Sequence, residues 1–438
     1  MNVRNSPKII YLTAGAAGMY CGSCMHDNAL AKALAQVGWD VQLVPTYTPI
    51  RTDETNVSVD QVFFGGINVY LQQKIPLMRF LPSALDRFLD NPRLIRRATA
   101  KASETSPRLL GQLAQSMLLG LRGNQRKEVK RLCRWLAAEK PDLILFTNIL
   151  IGGCIPEIKR QLNVPVLVTL QGDDVFLDSL PQPYQARCIE QIRQIASQVD
   201  GFIVHSDFFR NYMSNYFGLE KSRIHVTPLG IDTHDFRHFT NQARQPVRRD
   251  VRTIGYLAKL APQKGLHCLV DAFIHLKSQP GTENVKLEIA GWLGPENTAY
   301  AKAEFERLRS AGLTDDFEYI GSVDRQQKMA LLERLDVLSV PTEYLEPKGI
   351  YVLEAMAAGV PVVQPDHACF PELIAQSDGG LLFKAGDPVD HATVLHRVLT
   401  DHATRSELSR NALQFVHGER NAQEMANVTS RLLSGFLK

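Results

Sequence analysis

Long apolar runs are missing from this 438-residue sequence. No stretch approaches the ~20 consecutive apolar residues of a membrane-spanning helix. The opening MNVRNSPKIIYLTAGAAG carries only a short apolar run that stops at glycines, too short for a secretory h-region with a cleavage site. A large excess of charge is missing too: the net charge is +3, which gives no global case for nucleic-acid binding. Cysteine is scarce and unpatterned. There are seven, an odd number, scattered apart from one close pair. That argues against a disulfide framework and for reduced thiols in a cytoplasmic protein.

What is present is an alternation. Hydrophobic residues are 45% and charged residues 22% of the chain, ordinary for a globular enzyme large enough for two domains. KIIYLTA (8–14) leads through glycines into SCMHDNALAKALAQVG, whose Ala29, Leu30, Ala33, Leu34 and Val37 fall at helical spacing. The strand-like runs WDVQLVPTY, DLILFTN, PVLVTLQG, GFIVHS and RIHVTPLG follow, most of them separated by helical patterns. This rhythm predicts parallel strands with crossover helices. Polar, aperiodic residues interrupt it at about 236–250 and read as a linker. A second alternation then runs through RTIGYLA, VKLEIAG, FEYIGSV, DVLSVPT, VPVVQ and GGLLF. The expected organisation is therefore a first domain over 1–235, a second over 251–402, and a helical tail without caps over 403–438 that folds back toward the first. Two doubly wound halves would face each other across a ligand cleft at the carboxyl ends of their strands.

One insert, 76–135, has no strand signal and is rich in basic residues, among them Arg93, Arg96, Arg97, Arg126, Lys127, Lys130 and Arg131. Solvated faces of extra helices account for such a run most simply. An anionic membrane face or a lipid-linked acceptor is the sharper alternative.

The segment SVPTEYLEPKGIYVLEAMAAGVPVV (339–363) is the most informative. A strand gives way to a loop with Glu343 and Glu346. Gly349 opens a helix, and Glu354 lies eight residues beyond Glu346. A helix N-terminus offers N–H groups and a positive dipole end to an anion, and carboxylates beside it can accept from sugar hydroxyls. Upstream, GYLAKLAPQKG sets Lys259 and Lys264 at a strand-to-helix loop, where two ammonium groups suit a diphosphate.

These residues resemble the signature of retaining glycosyltransferases of family 4, which have the GT-B fold. The family's Glu, seven residues, Glu pattern is matched by Glu346 and Glu354, and AMAAGVPVV follows unbroken. AKLAPQKG is similar to the family's G-R-L-x-x-x-K-G loop. GIDTHDF (230–236), PELI with Glu372, and GGLLF match further elements. The resemblance covers nearly the whole chain and is strongest from 226 to 390. It implies an α/β protein of two Rossmann-like domains that moves a hexose from a nucleotide diphosphate-sugar to an acceptor hydroxyl. No metal and no cofactor besides that co-substrate are implied. The acceptor would be a carbohydrate or a lipid-linked sugar, and no nucleic-acid partner is expected. Lys259 and Lys264 would hold the diphosphate. Glu346 would face the donor sugar, Gly349, Ile350 and Tyr351 would present backbone N–H groups, and Glu354 would bind the ribose. Three departures stand out. Lys259 replaces the usual arginine and loses its bidentate fork. Pro347 and Lys348 replace Gly-Phe. Gln171 stands where relatives often carry histidine, and glutamine cannot act as a base. Glu346, Asp173 and His205 are the candidate catalytic residues; His26, Asp27, Asn148, Gln171 and Asp174 are candidates for the acceptor side.

The segment AGAAGMYCGSCMHDN (14–28) holds the one close cysteine pair. A c-type haem signature needs histidine directly after the second cysteine, and Met25 intervenes. A structural zinc site needs about four ligands, and no second C-x-x-C exists. The segment is read as the glycine loop that similar enzymes place under the transferred sugar, with Gly15, Gly18 and Gly22 allowing close backbone approach. Three other readings stay open: a nucleotide-sugar 2-epimerase, a sugar-nucleotide-binding protein without catalysis, and a metal or redox protein built on the cysteine pair.

Overall fold

The computed structural model describes residues 6–15, 21–59, 62–64, 106–241 and 251–437. Gly18, the insert up to residue 105 with Arg93, Arg96 and Arg97, and the linker from 242 to 250 lie outside the described residues. The chain divides into two compact units, Met1–Pro228 with Met425–Lys438, and Leu229–Glu424.

The first unit is built on a six-stranded parallel sheet of β1 (Lys8–Thr13), β2 (Asp40–Pro45), β3 (Leu143–Phe146), β4 (Val166–Thr169), β5 (Gly201–Val204) and β6 (Ile224–Val226), in the order β2-β1-β3-β4-β5-β6. Parallel strands covered on both faces read as unbroken apolar runs. KIIYLT, LILF, VLVT and GFIV are buried along their whole length. Strand order reverses between β1 and β3, so the crevice of this sheet opens at their carboxyl ends.

The second unit repeats the plan with β7 (Arg252–Leu257), β8 (Val285–Ala290), β9 (Phe317–Gly321), β10 (Val337–Leu338), β11 (Val362–Pro365) and β12 (Gly380–Phe383), ordered β12-β11-β10-β7-β8-β9. Its reversal lies between β7 and β10. β10 is shorter than DVLSVPT suggests. Beyond Leu338 the backbone N–H of Ser339 still bonds to the Gly255 carbonyl, but Thr342 N–H turns back onto the Val340 carbonyl.

Within the insert, helices span Pro107–Leu118 and Arg126–Glu139. Leu118, Val129, Leu132, Cys133 and Leu136 are buried, and Leu110 and Leu113 pack against the first unit's core. The apolar stripe of these helices thus faces inward, which accounts for it without a membrane. The tail is not capless: Asp401 accepts the N–H groups of Ala403 and Thr404 at the start of helix His402–Glu419. The last helix, Ala422–Ser434, carries Ser430, which accepts the Trp39 indole N–H at 2.8 Å. No helix among the described residues is long and apolar enough to cross a membrane. None of the seven cysteines is joined in a disulfide.

Candidate functional site

In the second unit the loop after β7 and the loop after β10 meet at the strand-order reversal. Gly265 makes the approach possible. Its φ is +70°, and a Cβ there would stand 1.7 Å from the Pro341 carbonyl oxygen, so only glycine fits. The buried Tyr256 braces the same loop from below, its hydroxyl 3.3 Å from the carbonyls of both Lys259 and Lys264.

This packing brings Lys264 onto Glu346. Lys264 Nζ lies 2.7 Å from Glu346 Oε2 and 2.7 Å from the Tyr344 hydroxyl, which donates to Glu346 Oε2 at 2.5 Å. The ammonium also sits over the rings of Tyr344 (4.7 Å) and Tyr351 (5.3 Å), a cation–π arrangement. Glu346 Oε1 accepts the backbone N–H groups of Lys348 (3.4 Å) and Gly349 (3.3 Å). Burial raises the Glu346 pKa, but the Lys264 charge and the hydrogen bonds from Lys264, Tyr344 and Gly349 outweigh it and hold the carboxyl below its ordinary value. Gly349 caps helix Ile350–Ala357 in the left-handed conformation, φ +68°. The first-turn N–H groups beyond it, on Ile350 and Tyr351, have no acceptor within an α-helix. The Tyr351 hydroxyl is buried without a hydrogen-bond partner. An ammonium has three N–H groups, two of which are committed here; the third and the helix end suit a phosphate oxygen.

Lys259 and Glu354 have other partners. Lys259 Nζ pairs with Glu296 at 3.0 Å above the Trp292 ring. Glu354 is buried and pairs at 2.5 Å with the equally buried Lys328 of helix Arg325–Arg334. Sequence reasoning missed Lys328 and Tyr344. Tyr344 stands inside TEYLE, two residues before Glu346. Lys328 gave no signal, because its partner is 26 residues away.

In the first unit a second cluster forms at the reversal between β1 and β3. Asp27, fully buried on helix Gly22–Gln36, accepts from the hydroxyls of Tyr11 (2.5 Å), Thr13 (2.6 Å) and Thr147 (2.5 Å) and from Gln171 Nε2 (3.1 Å). Tyr11 and Thr13 are two apart on β1 and so project from one face. Burial raises the Asp27 pKa, while His26 and the Thr13 and Thr147 hydroxyls bring the net below the ordinary value. Gln171 Nε2 also donates to the Thr147 carbonyl (2.7 Å) and hydroxyl (2.8 Å). Three acceptors around one nitrogen fix the amide's orientation. The His26 and His205 rings lie 4.6 Å apart, and His205 Nδ1 is 3.2 Å from the Thr227 carbonyl.

The remaining candidates are near but differently engaged. Asp173, buried, accepts the N–H groups of Ile149 (2.9 Å) and Gln171 (3.0 Å), so it joins the loops after β3 and β4; burial raises its pKa to about 7. Asn148 caps the turn that follows, accepting from Ile151 N–H. Asp174 has one oxygen buried without a partner, and burial raises its pKa to about 6. Gly22 is the first residue of its helix, directly after Cys21.

Two family models match the chain: "Glycosyltransferase Family 4" over residues 113–235 and "Glycosyl transferases group 1" over residues 239–415. The D-inositol 3-phosphate glycosyltransferase of Corynebacterium kroppenstedtii is 24% identical over 240 residues, 53% of this chain and 52% of the relative. The chain thus spans about half the length of that relative. Among solved structures, sucrose-phosphate synthase from Thermosynechococcus elongatus superposes with a TM-score of 0.69 at 18% identity, covering 98% of both chains. The Anabaena protein HepE in complex with UDP superposes at 0.67 with 17% identity, covering 98% of this chain and all of that one. The two parallel six-stranded sheets are the Rossmann-like domains of the GT-B fold.

Proposed function

We propose, from the premise that the chain belongs to the family 4-type glycosyltransferases, that it moves a hexose from a nucleoside diphosphate-sugar to an acceptor hydroxyl with retention at the anomeric carbon. The observation that carries this reading is the Lys264–Tyr344–Glu346 cluster beside the Gly349 helix start, at the strand-order reversal of the second sheet. Lys264 and the helix end stabilise the departing diphosphate, whose developing charge is the largest electrostatic demand of the reaction. Glu346, held ionised, accepts from hydroxyls of the donor sugar. Glu354 and Lys328 set the floor of the ribose pocket. Lys259 exchanges Glu296 for a phosphate oxygen when donor arrives.

No resident metal is needed, because fixed positive groups supply the charge. The leaving phosphate oxygen takes the acceptor proton as the acceptor oxygen bonds to the anomeric carbon on the same face. This accords with Gln171, which cannot serve as a base. In the first unit Asp27 and Asp173 hold Gln171, while His26 and His205 offer imidazoles to sugar hydroxyls. The HepE complex with UDP makes a uridine nucleotide the first donor to try. The acceptor is a carbohydrate or lipid-linked hydroxyl, and the basic helix Arg126–Glu139 would hold the protein at an anionic membrane face.

The test is a thermal-shift screen of UDP-, GDP- and ADP-hexoses on the full chain, followed by NMR of the product's anomeric proton. An α-linked product from an α-donor is expected. A β-linked product overturns retention, and stabilisation by none of the donors overturns the transferase reading. Glu346→Gln should lower kcat more than it raises KM for the donor.

A further inference from the structure

Helix Leu266–Lys277 starts directly after the Lys264 loop, and its first turn carries His267 and Cys268. Neither has a role in sugar transfer as derived above. Both face Glu343, three residues before Glu346 in the loop that follows β10. The donor atoms of His267, Cys268 and Glu343 all lie within 4.8 Å of one another. Among the described residues this is the one group of three or more such side chains that converges. Cys21, Cys24 and His26, adjacent in sequence, do not form another.

The His267–Glu343 edge of the group has the spacing of a coordination shell. His267 Nε2 and Glu343 Oε1 are 3.4 Å apart. In a tetrahedron with metal–ligand bonds of ~2.0–2.1 Å, the edge between two ligands is about 3.4 Å. The outer shell is also in place. His267 Nδ1 lies 2.9 Å from the Tyr300 hydroxyl, which also accepts the His267 backbone N–H at 3.1 Å. A ligating histidine characteristically gives its second ring N–H to such a partner, which fixes tautomer and ring plane. Glu343 is held from its own backbone, whose N–H donates to the Gln263 carbonyl at 3.0 Å. His267 and Cys268 are partly buried, while the Glu343 side chain is 54% accessible, so an ion can reach the group from solvent.

We propose that His267 Nε2, Cys268 Sγ and a Glu343 carboxylate oxygen bind a zinc ion, with solvent as the fourth ligand. One thiolate, one imidazole and one carboxylate form a borderline-soft set that suits Zn²⁺ and discriminates against Mg²⁺ and Ca²⁺, which prefer oxygen alone. The ion is a clasp, not a reagent. It fastens the loop carrying Tyr344 and Glu346 to the helix that follows Lys264. Occupancy therefore stiffens the donor site, while basal transfer runs without it.

Chelator-treated full-length protein should bind Zn²⁺ at one equivalent in calorimetry, with no comparable uptake of Mg²⁺. Co²⁺ in its place should give the near-ultraviolet thiolate-to-cobalt charge-transfer band. Cys268→Ser should abolish that band. Glu343→Gln, at an exposed position where folding is not at stake, should weaken zinc at least tenfold. Tyr300→Phe should weaken it by roughly tenfold, the usual size of an outer-shell loss. The Cys21→Ser/Cys24→Ser variant should bind as the wild type does. The proposal is overturned by absence of one-to-one zinc binding, by a cobalt band that survives Cys268→Ser, or by binding that disappears with Cys21 and Cys24 instead.

Discussion

At the scale of single residues, the Lys328–Glu354 pair decides how the proposed nucleotide pocket is to be probed. Both side chains are buried, and the 2.5 Å contact neutralises two charges that have lost their water. Removing one partner strands the other, at a typical cost of about 3–5 kcal/mol. Glu354→Gln and Lys328→Met should each lower stability in urea denaturation by that order. The double variant should recover most of the loss, because no uncompensated charge remains. Strict additivity of the two losses would show that the pair is not coupled. A fall in donor affinity after Glu354→Gln alone therefore carries little meaning until measured in the double variant, where stability is restored. Lys264 is different. Its side chain keeps more solvent, and without it Glu346 still accepts from the Tyr344 hydroxyl and the Lys348 and Gly349 N–H groups, so Lys264→Ala should weaken donor binding by about 1.5–3 kcal/mol in calorimetry, the scale of a charge-assisted hydrogen bond, and leave the fold intact.

At the scale of elements, two packing contacts govern the second unit. The first is the approach of the β7 and β10 loops at Gly265. Gly265→Ala meets both the positive φ and the Pro341 carbonyl. It should cost roughly 2–4 kcal/mol, the range of severe single substitutions, and should weaken donor binding by moving the loop that holds Glu346. Gly312, at φ +75° with nothing within 4 Å of the place a Cβ would take, supplies the control. Its alanine variant should lose only the ~1–2 kcal/mol of left-handed backbone and keep donor affinity. The second contact is His391 on helix Pro388–Thr400, stacked on Phe383 of β12 at 3.8 Å and 2.9 Å from Ser339 Oγ. Ser339 gives its hydroxyl proton to the Val363 carbonyl, so the histidine donates from Nε2 and its Nδ1 is buried without a partner. Burial lowers its pKa to about 3. Between that value and the ordinary histidine pKa of about 6.5, the unfolded chain binds a proton that the folded chain refuses. Stability is then full above pH ~6.5 and falls as the pH drops toward 3. His391→Phe should flatten this part of the acid limb in urea midpoints taken across pH 4–7 and change stability at neutral pH by less than about 1.5 kcal/mol. An unaltered acid limb would show that the histidine is protonated in the folded state.

At the scale of the whole molecule, charge is what the proposed membrane contact has to draw on. The exposed basic residues of helix Arg126–Glu139 include Arg126, Lys130 and Arg134, whereas Val129, Leu132, Cys133 and Leu136 are committed to the core. Membrane attachment through this helix must therefore be electrostatic. It should be lost above the ionic strength at which the Debye length falls to a few ångströms. Flotation with phosphatidylserine-containing vesicles should show binding at low salt that high salt reverses, and none to phosphatidylcholine alone. No flotation at low salt removes the membrane reading and leaves these cations as a solvated face.

Much of this molecule was legible in its residues. Alternation of buried strands with helices follows from local periodicity, because a parallel sheet covered on both faces demands runs such as KIIYLT and LILF wherever it passes. The run from Glu346 to Val363 announced its loop and helix start for the same reason: a glycine in the left-handed conformation before an apolar helix is a local requirement. Pairings are another matter. Lys264 meets Glu346 across 82 positions, Gln171 meets Asp27 across 144, and Thr147 meets Asp27 across 120. Lys259 meets Glu296 and Glu354 meets Lys328, partners that the motif does not name. The Cys21, Cys24 and His26 segment reads as a glycine loop, with a metal group only as its alternative, and the side chains that converge are His267, Cys268 and the distant Glu343. Sequence alone determined which segments are strands and which loop carries the glutamates. Sheet order and register decided which charges touch, because a charge is stabilised by whatever the fold places within a few ångströms of it, and periodicity holds no record of that neighbour.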